Sequence, residues 1–287
     1  MSGKYNRIWA PSIIYSETAH KYFMYVTIAD GSAQGKCAIV LTSADKPEGP
    51  YKYEKMIVAS AMTTEDVDKT NLMDVLNISD KSQVPAKYTS NDRTYPDCID
   101  ATVFYDHTGK LWMVYGSFTC AGGIRMIQLD PVTGDRLESA TYEDNGTSDK
   151  IGDKDPYYGI KLANNNGEEP FIMEVPSEKS STGYYYFLWT SVGGLQSYGG
   201  YHMRMYRSEN VEGPYVDTAG QEATSSLGRS EVGLRVMDNY KFSFMDFAFT
   251  SCGGNSAILC ADKGTSEDGK MFLHYHQKWA NGTEGFR

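Results

Sequence analysis

The sequence predicts an all-β protein built as a β-propeller. Three observations carry that prediction: a composition rich in tyrosine and glycine, a hairpin pattern that recurs along the chain, and strands that are apolar on both faces. The 287 residues hold 22 tyrosines and 28 glycines, a balance that favours strands and turns over helix bundles. Four segments then share one plan of a short apolar strand, a polar turn and an aromatic strand. They are "WAPSIIYSETAHKYFMYVTIADG" from Trp9, "CIDATVFYDHTGKLWMVYGSF" from Cys98, "GEEPFIMEVPSEKSSTGYYYFLWTSVGG" from Gly167 and "CGGNSAILCADKGTSEDGKMFLHYHQKW" from Cys252. Each is a hairpin with turn chemistry in its loop. Their spacing of roughly 70 to 90 residues suits four-stranded blades with long loops.

Runs such as "LWMVYG" and "YYYFLW" lack the polar alternation of a half-exposed sheet. Strands packed between neighbouring blades need no polar face. The inner strands of a plain β-sandwich could read the same, and the long repeats favour the propeller. A second repeat, "SADKPEGPY" (Ser43–Tyr51) and "SENVEGPY" (Ser208–Tyr215), follows an apolar strand each time. Gly-Pro cannot continue a ladder, so each copy is expected to close a strand.

Between these repeats lies one helix-like stretch, Thr63–Asp80, expected as one or two turns in a loop. The segment Glu143–Asp155 is acidic and lacks EF-hand spacing, so it is expected as a solvated loop. The five cysteines stand singly, which predicts buried free thiols rather than a disulfide framework or a zinc site. A net charge of −10 without a basic cluster argues against nucleic acid and against an anionic membrane as partners. No apolar stretch is long enough to span a bilayer. The start, "MSGKYNRIWAPSIIY", has no apolar core of an export signal.

Two acidic residues stand at equivalent points in the repeat, each directly before an apolar strand: Asp100 in "CIDATVFYD" and Glu168 in "GEEPFI". The innermost strands of a propeller line one channel, so residues at their starts converge although distant in sequence. Paired carboxylates in a cleft are the minimum equipment for cutting a glycosidic bond, one protonating the leaving oxygen and one activating water. The alternative is that both only cap turns. His274 and His276 point the same way on a strand, but no third ligand is visible nearby, and no metal site is expected from the residues alone.

The segments "WAPSIIY", "CIDATVFYDHTGKLWMVYGSF", "GEEPFI", "TSVGGLQSYGGYHMRMYRSENVEGPYVDTAG" and "GGNSAIL…GKMFLHYHQKW" resemble glycoside hydrolase family 43, and most of all its endo-acting arabinanases. The resemblance runs in order through nearly the whole chain, which it makes a single domain, 1–287. It implies a five-bladed β-propeller that cleaves α-1,5-linked arabinan with inversion. The family's "Ile-Asp-Pro" aspartate, which orients the acid and tunes its pKa, matches Asp100, with Ala101 in place of the proline. The family's general acid in "Gly-Glu-x-Pro-Tyr-Ile" matches Glu168. Glu169 falls on the variable position and is expected to be a solvated neighbour. Trp9, Ser117 and Arg204 resemble positions near the substrate cleft.

Two departures shape the remaining expectations. The family's general base, an aspartate in "His-Asp-Pro-Ser", lies upstream of the "WAP" segment, and no acidic residue precedes Trp9. The base and most of the first blade are therefore expected to be absent, and the C-terminal closure incomplete. The family's "Gly-His-Asn-Ser" histidine, which resembles a ligand for a central calcium, is Gly254 here. Calcium is thus implied by the family but with its histidine replaced. The resulting expectations are an arabinan hydrolase with Glu168 and Asp100 at its centre or, alternatively, a non-catalytic carbohydrate-binding propeller. Self-association through the missing blade is also expected. An extracellular or periplasmic location is what the family implies.

Overall fold

The computed structural model describes residues 7–30, 36–90, 95–116, 122–138, 142, 150–164, 167–192, 202–217, 220–223, 231–235, 264–265 and 271–272. Three antiparallel sheets follow one another along the chain. The first is a meander of β1 (Arg7–Ser16), β2 (Lys21–Ala29), β3 (Cys37–Ala44) and β4 (Lys52–Ala59). The second comprises β5 (Thr102–Tyr105), β6 (Leu111–Tyr115), β7 (Ile124–Leu129), β8 (Lys154–Asp155) and β9 (Gly159–Ala163), in the order β5-β6-β7-β9-β8. The third is a meander of β10 (Gly167–Pro176), β11 (Tyr184–Val192), β12 (His202–Ser208) and β13 (Glu231–Arg235). A two-stranded piece, β14 (Gly264–Thr265) with β15 (Met271–Phe272), lies in the fourth repeat. The predicted hairpins are β1–β2, β5–β6 and β10–β11, and the sheets do not close into a ring among the described residues.

The sheets are stacked as blades, and β6 shows why its sequence is apolar throughout. Leu111, Met113 and Tyr115 face the first sheet and pack with Phe23, Tyr25, Leu41 and Ile57. Trp112 and Val114 face the third and pack with Ile172, Tyr186, Leu188 and Tyr206. Strand residues alternate between faces, so a strand with a neighbour on both sides has no solvent face to make polar. The innermost strand of the second sheet, β5, lies against both β1 and β10. The fold is all-β and of the propeller type.

Both Gly-Pro copies close a strand as expected, the first after β3 and the second after β12. Each has a cis Gly-Pro bond, at Gly49–Pro50 and Gly213–Pro214. Each turn is tied by the following tyrosine: Tyr51 donates to the Pro47 carbonyl (3.0 Å) and Tyr215 to that of Val211 (2.9 Å). The helix-like stretch holds a 3-10 turn (Val67–Lys69) and one short helix, α1 (Leu72–Val75). Among the described residues no helix is long and apolar enough to cross a membrane. Cys37 and Cys98 are buried free thiols, as expected, while Cys120, Cys252 and Cys260 lie outside the described residues.

The acidic segment Glu143–Asp155 departs from its expected solvation at its C-terminal end. Asp153 and Asp155 are buried. The Asp155 carboxylate accepts from the N–H groups of Tyr157 (2.8 Å) and Tyr158 (2.7 Å) and from the Tyr88 hydroxyl (3.1 Å), and it faces Lys87. Asp153 lies 3.7 Å from buried Arg125. Arg125, Lys87 and Tyr88 come from distant parts of the chain and the two N–H groups from the adjoining turn, and a buried carboxylate is tolerable only with such partners.

Candidate active site

The site begins with one irregularity that the three inner strands share. In β1, Trp9 pairs with Thr27 and Ser12 with Tyr25, so three steps on one strand oppose two on the other. In β10 the same happens between Glu168, opposite Ser191, and Phe171, opposite Trp189. Ahead of β5, the Ile99 carbonyl accepts from the Gly116 N–H (3.0 Å) while Thr102 pairs with Val114, again three against two. Each is a β-bulge with one extra residue. That residue is left-handed every time: Ala10 (φ 39°), Asp100 (φ 54°) and Glu169 (φ 50°). Such backbone costs about 1–3 kcal/mol in a non-glycine residue and persists only where its surroundings impose it.

The bulge corrects the equivalence suggested by sequence. Asp100 is the register counterpart of Glu169 and Ala10, whereas Glu168 is the counterpart of Ile99 and Trp9. Glu168 still belongs to the ladder, so the extra residue on β10 is the second glutamate. Alignment by the onset of apolarity misses this, because a bulge consumes a residue without changing composition.

Three sheets together enclose Asp100. Its N–H donates to the Thr27 hydroxyl of β2 at 3.1 Å, and Thr27 is fully buried. Two residues earlier the Cys98 N–H donates to Ser60 (3.1 Å), which sews this segment to the first sheet. On the far side the Asp100 carboxylate accepts from the backbone N–H of Glu169. Burial pushes the Asp100 carboxyl well above the usual range; the charges of Glu169 and then Glu168 raise it further, and that of Asp97 adds to them. The Glu169 N–H works in the opposite direction and is outweighed. A buried group of close carboxylates keeps a proton that separated ones would lose.

Glu168 is buried beside it. The glycine before it is needed sterically: a Cβ on Gly167 would lie 2.8 Å from Thr190 Cβ and Oγ1. Only glycine lets the mouth of β10 close onto β11. Glu169 is half-buried rather than solvated as expected, with Ser191 donating to its Oε2 at 3.3 Å. The expectation failed because the bulge turns this residue inward, toward Asp100.

The remaining site candidates are distributed differently. Trp9 is 38% exposed and holds in β1 the register place that Glu168 holds in β10, with the Arg7 guanidinium 5.8 Å from its ring centroid. Arg204 is not on an inner strand but on β12, paired with Thr190. Glu168 pairs with Ser191 and Ser191 with Met203, so the pleat sets Arg204 on the opposite face from Ser191. Arg204 is buried, and its Nε has no hydrogen-bond partner among the described residues. Ser117 and Gly254, like His274 and His276, lie outside the described residues. Among those described, no group of three His, Cys, Asp or Glu side chains could hold a metal ion. Sequence reasoning missed Thr27 and Ser191, although each is a small hydroxyl residue in a largely apolar strand.

Comparison with known proteins bears on this arrangement. The family model described as "Glycosyl hydrolases family 43" matches residues 79–234, which include Asp100, Glu168 and Glu169. The "Extracellular endo-alpha-(1->5)-L-arabinanase" of Thermotoga petrophila is 32% identical over 295 residues, covering 98% of this chain and 53% of the relative. The "Extracellular endo-alpha-(1->5)-L-arabinanase 2" of Bacillus subtilis is 28% identical, covering 95% of this chain and 51% of the relative. The chain thus spans about half the length of the curated relatives it matches. The crystal structure of the endo-1,5-alpha-L-arabinanase from Thermotoga petrophila superposes with a TM-score of 0.55 at 34% identity, covering 76% of this chain and 40% of that one. The matched model embraces the second sheet and most of the third, with both carboxylate-bearing bulges, and the chain belongs to glycoside hydrolase family 43.

Proposed function

We propose that this chain forms the carboxylate-bearing part of an extracellular arabinan hydrolase that cuts α-1,5-linked arabinan with inversion at the anomeric carbon. The observation that carries the reading is the meeting of Asp100 and Glu168 at the mouths of two inner strands, in a chain whose relatives are named arabinanases. Glu168 is the general acid. In its protonated form it gives its proton to the glycosidic oxygen as the bond from C1 to that oxygen breaks. The departing saccharide leaves as a neutral alcohol, and Glu168 is left as a carboxylate.

Asp100 holds and tunes the acid. A carboxylic acid stays protonated near neutral pH when burial and nearby negative charge oppose its ionisation. Burial and the charges of Glu169 and Glu168 oppose ionisation of Asp100 in that way, which favours a proton held beside the acid until the leaving oxygen develops charge. Trp9 supplies a stacking plane for one sugar, and Arg204 and Ser117 contribute polar contacts to the substrate. Water attacks C1 from the opposite face as the leaving oxygen departs, forming the new C1–O bond with inversion and giving its proton to a general base.

The test is hydrolysis of linear 1,5-arabinan by the chain, with the anomer of the first-formed product read by proton NMR. Glu168→Gln is expected to lower kcat by about 10²- to 10⁴-fold with little change in thermal midpoint. Turnover that survives Glu168→Gln, or a product that retains configuration, would refute the assignment.

A further inference from the structure

We propose that Glu169 is a positioning residue for this reaction: its backbone N–H fixes the Asp100 carboxyl, and its side chain, anchored on Ser191, supplies a third negative charge facing the Asp100–Glu168 pair. The inference rests on the reading above that this pair is the acid and its modulator. It starts from the repeated bulge. At the equivalent place the first blade has Ala10, with no charge, and the second has Asp100 itself. The third blade carries a carboxylate at the bulge and another at the ladder residue beside it. Blade symmetry therefore directs the bulge residues of the second and third blades toward each other, and the Glu169 N–H bonded to Asp100 is the direct sign of that approach.

The Glu169 side chain is not left to solvent. It is half-buried, and its Oε2 accepts from the fully buried Ser191, the ladder partner of Glu168. One serine thus stands behind both glutamates. The groups facing Asp100 are Glu168 and Glu169 from β10, the Thr27 hydroxyl from β2, and Asp97 from its own segment. Among these charges, that of Glu169 acts on Asp100 most strongly. Glu169 takes no part in proton transfer. It acts by adding negative charge, which makes loss of the shared proton harder.

Glu169→Gln removes that charge and keeps the backbone N–H. Two readouts are paired. The first is the carboxyl ¹³C titration of Asp100 in the full chain, which does not depend on turnover. The second is the pH profile of kcat/KM on linear arabinan. In Glu169→Gln the Asp100 midpoint should move to lower pH, the alkaline limb of the profile should move with it, and kcat/KM above that limb should fall about three- to tenfold. Glu169→Asp should restore most of both. Ser191→Ala should move them the same way as Glu169→Gln but less. Glu174→Gln, on the same strand but facing His107, should leave both unchanged.

An Asp100 titration indifferent to Glu169→Gln would overturn the proposal. If Glu169→Gln fails to fold by circular dichroism, Ser191→Ala decides in its place, and an unmoved midpoint there overturns it equally. A moved titration in a chain without hydrolytic activity would uphold the positioning role and refute the arabinanase reading instead.

Discussion

Thr27→Val tests whether the first sheet holds the Asp100 carboxyl of the second in place. The Asp100 N–H donates to the Thr27 hydroxyl at 3.1 Å, and Thr27 has no exposed surface. Valine has nearly the same shape but accepts no hydrogen bond, and water cannot reach the site to replace the lost acceptor. A buried donor left without a partner costs about 1–3 kcal/mol. The added methyl recovers up to about 0.8 kcal/mol through burial, so the net loss should be about 1–2 kcal/mol. At about 2–4 °C per kcal/mol for a large domain, the melting midpoint should fall by about 2–8 °C.

The change in activity should be larger than the change in stability suggests. Asp100 is left-handed at φ 54°, and this bond is one of the restraints that maintain that backbone. Its relaxation would swing the carboxyl away from Glu168 and Glu169. Small misplacements of this kind cost tenfold or more in kcat/KM. The assays are urea and thermal melts alongside kcat/KM on linear arabinan. Thr27→Ser, which keeps the acceptor, should retain activity while losing some stability. A Thr27→Val protein with unchanged midpoint and unchanged kcat/KM would refute the reasoning, because Asp100 would then be held by other means.

Two further changes test the frame around the site. Burial alone would raise the Asp66 carboxyl, but the Lys36 ammonium and the N–H and hydroxyl of Thr63 outweigh it and hold it at about 2. Its contribution to stability is therefore present above the unfolded-state value near 4 and is lost as pH falls through about 2. Urea midpoints measured from pH 6 downward should show Asp66→Asn less stable at pH 6, with the difference shrinking through that window; a constant difference would contradict it. Gly122→Ala would place a Cβ 1.9 Å from the Pro96 nitrogen and 2.0 Å from the Tyr95 carbonyl carbon. Backbone cannot rotate aside as a side chain can, so the substitution should cost about 1–3 kcal/mol or more. Unchanged thermal stability would show that the two segments do not touch.

Much of the fold was legible because propeller packing leaves a compositional trace. A strand buried on both faces has no polar alternation, and β6 shows this in five consecutive buried residues. The Gly-Pro repeat was legible because proline lacks a donor and must end a ladder. What escaped was polar burial. Asp153 and Asp155 read as solvated loop because acidic residues in a polar, glycine-containing run usually are. Arg125, Lys87 and Tyr88, which satisfy them, come from other parts of the chain, and no local pattern announces such pairing.

The candidate site was legible in its residue types but not in its phase. Two carboxylates ahead of apolar strands could be recognised from spacing, and their convergence follows from propeller geometry. Which of two adjacent glutamates matches Asp100 depends on a single inserted residue, and an insertion in a strand changes neither hydrophobicity nor propensity. The local clue available in the sequence was proline: Pro11 and Pro170 each follow a left-handed residue, and inside a strand a residue without an N–H donor is confined to edges and bulges. Ala101 breaks that clue in the second blade, where the bulge forms all the same. There the left-handed turn is held by Thr27 and by the Glu169 N–H, tertiary partners that act without a proline. Asp100→Ala should therefore loosen the bulge of the second blade, since the carboxyl that receives the Glu169 N–H is lost. Ala101→Pro should tighten it, provided the ladder needs no donor at that position. Hydrogen exchange at Ile99 and Thr102, slowed by the second change and quickened by the first, would separate a bulge set by local chain stiffness from one set by the site it serves.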